Sequence, residues 1–160
     1  MSQTQADQES LIDALVAGGV EFIVVGGIAA VLHGAPISTR DLDIVHARDA
    51  ENVERLLSVL DQLAARVRDL AGRDLRPSKS ALLGTGQSLL TTRLGPLDCL
   101  GALHDGRDFN ALVGHTCELS DDSLTIRVLD LRTLIAVKTE AGRPRDLLVV
   151  PLLEALLDEQ

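Results

Sequence analysis

Two aspartates one residue apart, Asp41 and Asp43, head an otherwise apolar stretch that continues through Ile44 and Val45. On a strand, residues i and i+2 point to the same face, so this spacing aims both carboxylates one way while Leu42 and Ile44 fix the strand in a core. Paired carboxylates repel, and each raises the other's pKa unless a cation intervenes. Such oxygen donors suit Mg2+ or Mn2+, which take one or two carboxylates together with substrate phosphates. Upstream, Gly26-Gly27 separates an apolar run from a short small-residue segment. Glycine at such a turn lets a phosphate approach the backbone closely, and the N–H groups that open the next helix carry partial positive charge. Together the two features predict a site for a nucleoside triphosphate and its metal. Each has a plainer reading as well: Gly-Gly serves many strand–helix turns, and paired acids often only solvate a strand end.

The elements that must position these groups follow from periodicity. "ESLIDALVAGG" has a helical apolar face, Leu11, Ile12, Leu15 and Val16, closed by Gly18-Gly19. "VEFIVVG" is a buried β-branched strand, "GIAAVLHG" a short helix stopped by Gly34 and Pro36, and "DLDIVHA" the next strand. Asp49 is placed to cap a helix whose stripe runs from Val53 to Val67. "SLLTTRLGPLDCLGAL" reads as two strands around a Gly95-Pro96 turn, "GRDFNALVGHT" as a short helix, and "SLTIRVLD" as a strand. Asp130 is set to cap "LRTLIAVKTEAG", and Pro144 suits the first turn of a last helix in which Pro151 predicts a kink or break. His33, at the end of the short helix, reads as a local cap, and Arg145-Asp146 as a salt-bridging pair at a helix start. The order describes an α/β (α+β) domain: a small mixed sheet flanked by helices.

Composition narrows the classes. The 160 residues suit one domain, assigned to 10–160, with residues 1–9 as a flexible lead-in. Nearly half the chain is apolar, which excludes a disordered protein. Phe22 and Phe109 are the only aromatics, so bases have no stacking platform, and the net charge of −9 argues against a broad nucleic-acid surface. Residues 66–79, with five basic and two acidic side chains, stand against that balance as either a solvated loop or a basic segment that meets a phosphate-bearing substrate. Cys99 and Cys117 match no metal-ligand spacing and read as reduced core residues. With no membrane-length apolar run and no signal segment, the expected location is the cytoplasm.

The string "VVGGIAAVLHGAPISTRDLDIV" resembles the nucleotidyltransferase superfamily with the DNA polymerase β-type fold. Within it, the chain is similar to small bacterial members related to type IV toxin–antitoxin (abortive-infection) proteins, and the likeness extends into "TTRLGPLDCLG" and "LIAVKTEAGRPRDLLVV". The resemblance implies a third carboxylate at Asp98, metals held by Asp41, Asp43 and Asp98, and help from Asp98 in deprotonating the acceptor. It sets Thr39 and Arg40 before the acids, with Thr39 either touching phosphate or shaping the turn. Lys138 is placed near the site, pairing with phosphate or the carboxylates, or else simply solvated. The implied reaction moves a nucleoside monophosphate from an NTP to a hydroxyl, with Mg2+ or Mn2+ as cofactor. Its acceptor would be a tRNA end, a protein or a small antibiotic-like alcohol, and a toxin–antitoxin partner protein is possible in such a family. The proline-interrupted final helix departs from the pattern. The alternative is a non-catalytic nucleotide- or partner-binding module of the same fold.

Overall fold

The computed structural model describes residues 2–160. Helix α1 (Gln3–Ala17) leads into strand β1 (Phe22–Val25), and α2 (Gly26–Leu32) follows at once. Then come β2 (Leu42–His46), α3 (Ala50–Gln62), β3 (Arg66–Val67), α4 (Lys79–Leu83) and the hairpin β4 (Gln87–Thr92) and β5 (Gly95–Leu100). The rest is α5 (Phe109–Leu112), a 3-10 turn (Val113–His115), the hairpin β6 (Thr116–Ser120) and β7 (Thr125–Leu129), α6 (Leu131–Ala141) and α7 (Pro144–Asp158). Among the described residues seven strands form one sheet in the order β3-β4-β5-β2-β1-β7-β6. β2 is antiparallel to β1 but parallel to β5, and β1 is parallel to β7, so the sheet is mixed, as its sequence order predicts.

One face of the central strands is sealed. Leu42, Ile44, Leu97 and Cys99 have no exposed surface and share one core with Leu11 and Leu15 of α1 and Leu56 and Leu60 of α3. Asn52 of α3 ties the ends of β1 and β2 together. Its side chain accepts from the Glu21 N–H at 2.7 Å and donates to the carbonyls of Glu21 and Ala47 at 3.0 and 2.8 Å. Asp49 and Asp130 cap α3 and α6 as expected, each accepting a backbone N–H three residues on. His33 terminates α2 and bonds the Leu129 carbonyl at 2.8 Å.

Several elements differ from the sequence reading. The described part of the 1–9 lead-in is helical from Gln3, because Ser2 and Gln5 cap the first turn reciprocally; Met1 lies outside the described residues. Gln8 is buried there, donating to the carbonyls of Thr39 and Arg40 at 2.8 and 3.2 Å, which fastens the segment before Asp41 to α1. The β4–β5 turn lies at Arg93-Leu94 rather than Gly95-Pro96, since Thr92 Oγ1 accepts the Leu94 N–H and donates to the Gly95 carbonyl. Pro151 does not break α7, which is assigned as one helix from Pro144 to Asp158. Asp146 pairs with Arg143 and Lys138, not with its neighbour Arg145, because its side chain turns inward.

Candidate functional site

The face of the sheet opposite the sealed one carries the carboxylates. In the parallel ladder, Asp43 of β2 stands directly beside Asp98 of β5, and in the antiparallel ladder it stands beside Val25 of β1. Period-2 alternation puts Asp43 and Asp98 on one side, with Leu42, Ile44, Leu97 and Cys99 on the other. Asp41 lies just ahead of β2. All three acids line one cleft of about 580 Å³, walled on the far side by α6 and the start of α7. That volume is in the usual range for a small-molecule site.

Glycine shapes the wall beside them. Gly26 has φ +67°, and a methyl group on it would sit 2.5 Å from Asp43 Oδ2. Only glycine allows both the backbone conformation and the close approach of the carboxylate. A methyl group on Gly27 would sit 2.7 Å from Thr39 Oγ1, so the second glycine packs against the loop that delivers Asp41. Gly26, Asp41, Asp43, Asp98 and Lys138 all line the cleft. Gly27, Thr39 and Arg40 are not among the residues that line it, and Arg40 is exposed.

The electrostatics are those of crowded acids. Burial, then the charge of Asp98 and a hydrogen bond with it, then the charge of Asp41, push the Asp43 carboxyl from 3.8 up to about 7, against an opposing pull from Lys138. Asp43 Oδ1 is buried with no hydrogen-bond partner. Such an atom is costly unless some ligand satisfies it. Among the described residues no three His, Cys, Asp or Glu side chains are arranged to hold a metal ion by themselves. What is present fits the looser binding of Mg2+, in which one or two carboxylates are completed by phosphate oxygens. Asp43 supplies an unpartnered oxygen, Asp98 stands beside it, and Asp41 borders the same space.

Ion pairs stand on both walls of the cleft. Arg68, just after β3, pairs with Asp98 Oδ1 and donates to the Leu90 carbonyl at 2.7 Å. The basic segment 66–79 therefore sends one guanidinium into the cleft, while Arg66, Arg73, Arg76 and Lys79 pair with acids elsewhere. On the opposite wall Lys138 of α6 lies 3.6 Å from the buried Asp146 of α7, which Arg143 Nε also reaches at 2.6 Å. Burial raises the Asp146 pKa, but the Arg143 hydrogen bond and the charges of Arg143, Lys138 and Arg145 hold it below the usual carboxylate range. Lys138 is thus held in place at the cleft rather than solvated. For Arg68 the sequence clue was composition, a cluster of bases with no way to know which one turned inward, whereas the family resemblance set Lys138 near the site.

No protein-family model matches the chain, and no curated protein matches it in sequence. Solved structures match it in fold. The lincosamide antibiotic adenylyltransferase LnuA, with lincomycin bound, superimposes with a TM-score of 0.65 at 13% identity, over 94% of this chain and 96% of its own. The antibiotic-resistance factor ANT(2'')-Ia gives 0.64 at 16% identity over 98% of this chain and 86% of its own. A second structure of it, in complex with adenylyl-2''-tobramycin, gives 0.61. A Thermotoga maritima protein named as a nucleotidyltransferase gives 0.56 at 20% identity, over 95% and 91% of the two chains. At these identities the likeness establishes the architecture, a nucleotidyltransferase-like mixed α/β fold.

Proposed function

We propose that this chain is a divalent-cation-dependent nucleotidyltransferase that moves a nucleoside monophosphate from an NTP to a hydroxyl of a small molecule. The observation that carries the reading is the register of Asp43 beside Asp98, in one cleft with Asp41, Gly26 and Lys138. Neighbours in fold that adenylylate antibiotics favour a small acceptor over a tRNA end or a protein. The scarcity of aromatics and the acidic balance point the same way. A toxin–antitoxin setting rests on the sequence resemblance alone.

In this reading the triphosphate lies over the β1–α2 turn, where Gly26 gives it room, and Lys138 meets its negative charge from the α6 wall. Asp41, Asp43 and Asp98 would hold the cations, which when bound offset charge on the attacking and leaving oxygens. Asp98 accepts the proton of the acceptor hydroxyl. The hydroxyl oxygen forms a bond to the α-phosphorus as the bond to the β-phosphate oxygen breaks, and pyrophosphate departs. Orientation within the cleft supplies much of the rate, since the acceptor hydroxyl is held in line with the bond that breaks.

The test is incubation with each of the four α-labelled NTPs and Mg2+ against a panel of aminoglycoside, lincosamide and simple polyol acceptors. A labelled acceptor, read by mass as the parent plus one nucleoside monophosphate, is the expected product. Asp98→Asn should reduce transfer by orders of magnitude while changing Mg·NTP affinity by less than about tenfold. Full activity in Asp98→Asn would remove Asp98 from the mechanism. One observation favours a non-catalytic binding module: Arg68 already sits on Asp98. Tight Mg·NTP binding with no adduct on any acceptor would move the reading there.

A further inference from the structure

The last helix carries apolar residues on its outer side as well as its inner one. α7 turns Val150 and Leu153 inward, buried, together with Asp146. Its outer side carries Pro144, Leu147, Leu148, Pro151, Leu152 and Ala155, all exposed. These positions recur at helical spacing and make one stripe along the 15-residue helix, with Leu147 51% and Leu148 76% exposed. Isolated surface leucines need no explanation, but a contiguous stripe marks a contact surface.

The charges at its ends say what covers it. Arg143 and Arg145 stand at the start, and Glu154, Asp158 and Glu159 at the end, with no basic residue in the last turn. A helix dipole favours the reverse, acids at the start and bases at the end. The acid of the first turn, Asp146, is buried and takes up Lys138 and Arg143, so neither it nor Arg143 serves the outer surface, and Arg145 is the base left at that end. By helical geometry Asp158 and Glu159 continue the outer side beyond Ala155.

We infer that α7 pairs with α7 of a second copy of this chain, antiparallel about a two-fold axis near Pro151. With the axis there, Leu147 faces Ala155 of the second copy and the proline rings meet. The arginine end then lies against the acidic end of the other helix. An antiparallel mate supplies opposite charge at both ends and opposes the two dipoles; a parallel mate sets like against like. The same patch serves both copies, as a two-fold contact requires. Because Arg143, Arg145 and Asp146 also line the cleft, the pairing braces the wall that carries Lys138. The helix is about 22 Å long, so the interface is at the small end for a specific contact.

Sedimentation velocity on the whole chain from about 1 to about 500 µM, a span that brackets weak interfaces, provides the test. A concentration-dependent monomer–dimer equilibrium is expected. Leu148→Glu should weaken it at least about thirtyfold with an unchanged circular dichroism spectrum. The double variant Asp158→Lys, Glu159→Lys guards against misfolding, because bases at the C-terminus suit the dipole and should leave the melting temperature equal or higher. It should still weaken the dimer at least about fivefold, the effect shrinking in high salt. A wild type that stays monomeric throughout overturns the proposal and assigns the stripe to a different partner. So does a dimer indifferent to both variants, which must form elsewhere, or one strengthened by the lysines, which excludes the antiparallel arrangement.

Discussion

Asp43 concentrates the tension of the site in one carboxyl. Its pKa of about 7 in the folded chain compares with about 3.9 in an unfolded one. The folded state therefore binds this proton more tightly, and the stability it confers is fully present below about pH 4. That stability is lost as pH rises through 7. At most the loss is about 4 kcal/mol, three units at about 1.36 kcal/mol each. Asp43→Asn should remove this slope, so thermal unfolding at pH 8 should show the variant more stable than wild type and at pH 4 about equal. A variant less stable at pH 8 would mean the acids are not crowded. At this scale Asp43 was legible because apolar neighbours on each side mark an acid that a strand presents, Asp41 because it stands two residues before it, and Asp98 through the family resemblance. Arg68 and Asp146 were not. Arg68 meets an acid 30 residues away, and the sequence cannot say which of five bases turns inward.

Between elements, two junctions decide the site. The first is the β1–α2 turn. Gly26→Ala forces a methyl group against Asp43 Oδ2 and a side chain into positive φ, at about 1–3 kcal/mol of strain. We expect a lower melting temperature and, in the proposed enzyme, at least tenfold weaker Mg·NTP binding by calorimetry. Unchanged binding would show that the nucleotide does not lie over this turn. The second is the α6–α7 corner, where Asp146 is buried between Lys138 and Arg143. Asp146→Ala leaves the largely buried Lys138 without its partner, while Arg143 stays half-exposed, and should cost about 1–3 kcal/mol in urea unfolding. A loss under 1 kcal/mol, on the order of a surface pair, would show the corner to be open to water. Capped helices and β-branched strands were readable because their signals are local. The two-residue β3, the short α4 and the edge strand β6 were missed because pairing with β4, packing on α3 or pairing with β7 makes them, not their own residues.

Across the whole molecule, the proposed reaction demands that nucleotide binding depend on the divalent ion. A triphosphate brought to three acids without a cation meets repulsion that Lys138 and Arg68 offset only in part. Calorimetry should show binding with Mg2+ that falls at least tenfold in excess EDTA, and equal affinity in the two conditions would remove the metal from the mechanism. The mixed sheet was legible as a class, but its strand order was not, since β1 sits between β2, which follows closely, and β7, about a hundred residues later. That order has a consequence during synthesis. The pair Asp41 and Asp43 leaves the ribosome before β5 exists, so β2 lacks that neighbour until residue 100 has emerged, and Lys138 and Asp146 come later still. Non-local pairing of this kind forms slowly and only when its distant half exists. A nascent chain therefore carries half of its cleft exposed and inert until α6 and the start of α7 have emerged, and a ligand that binds the finished cleft can reward only a chain synthesised past that point.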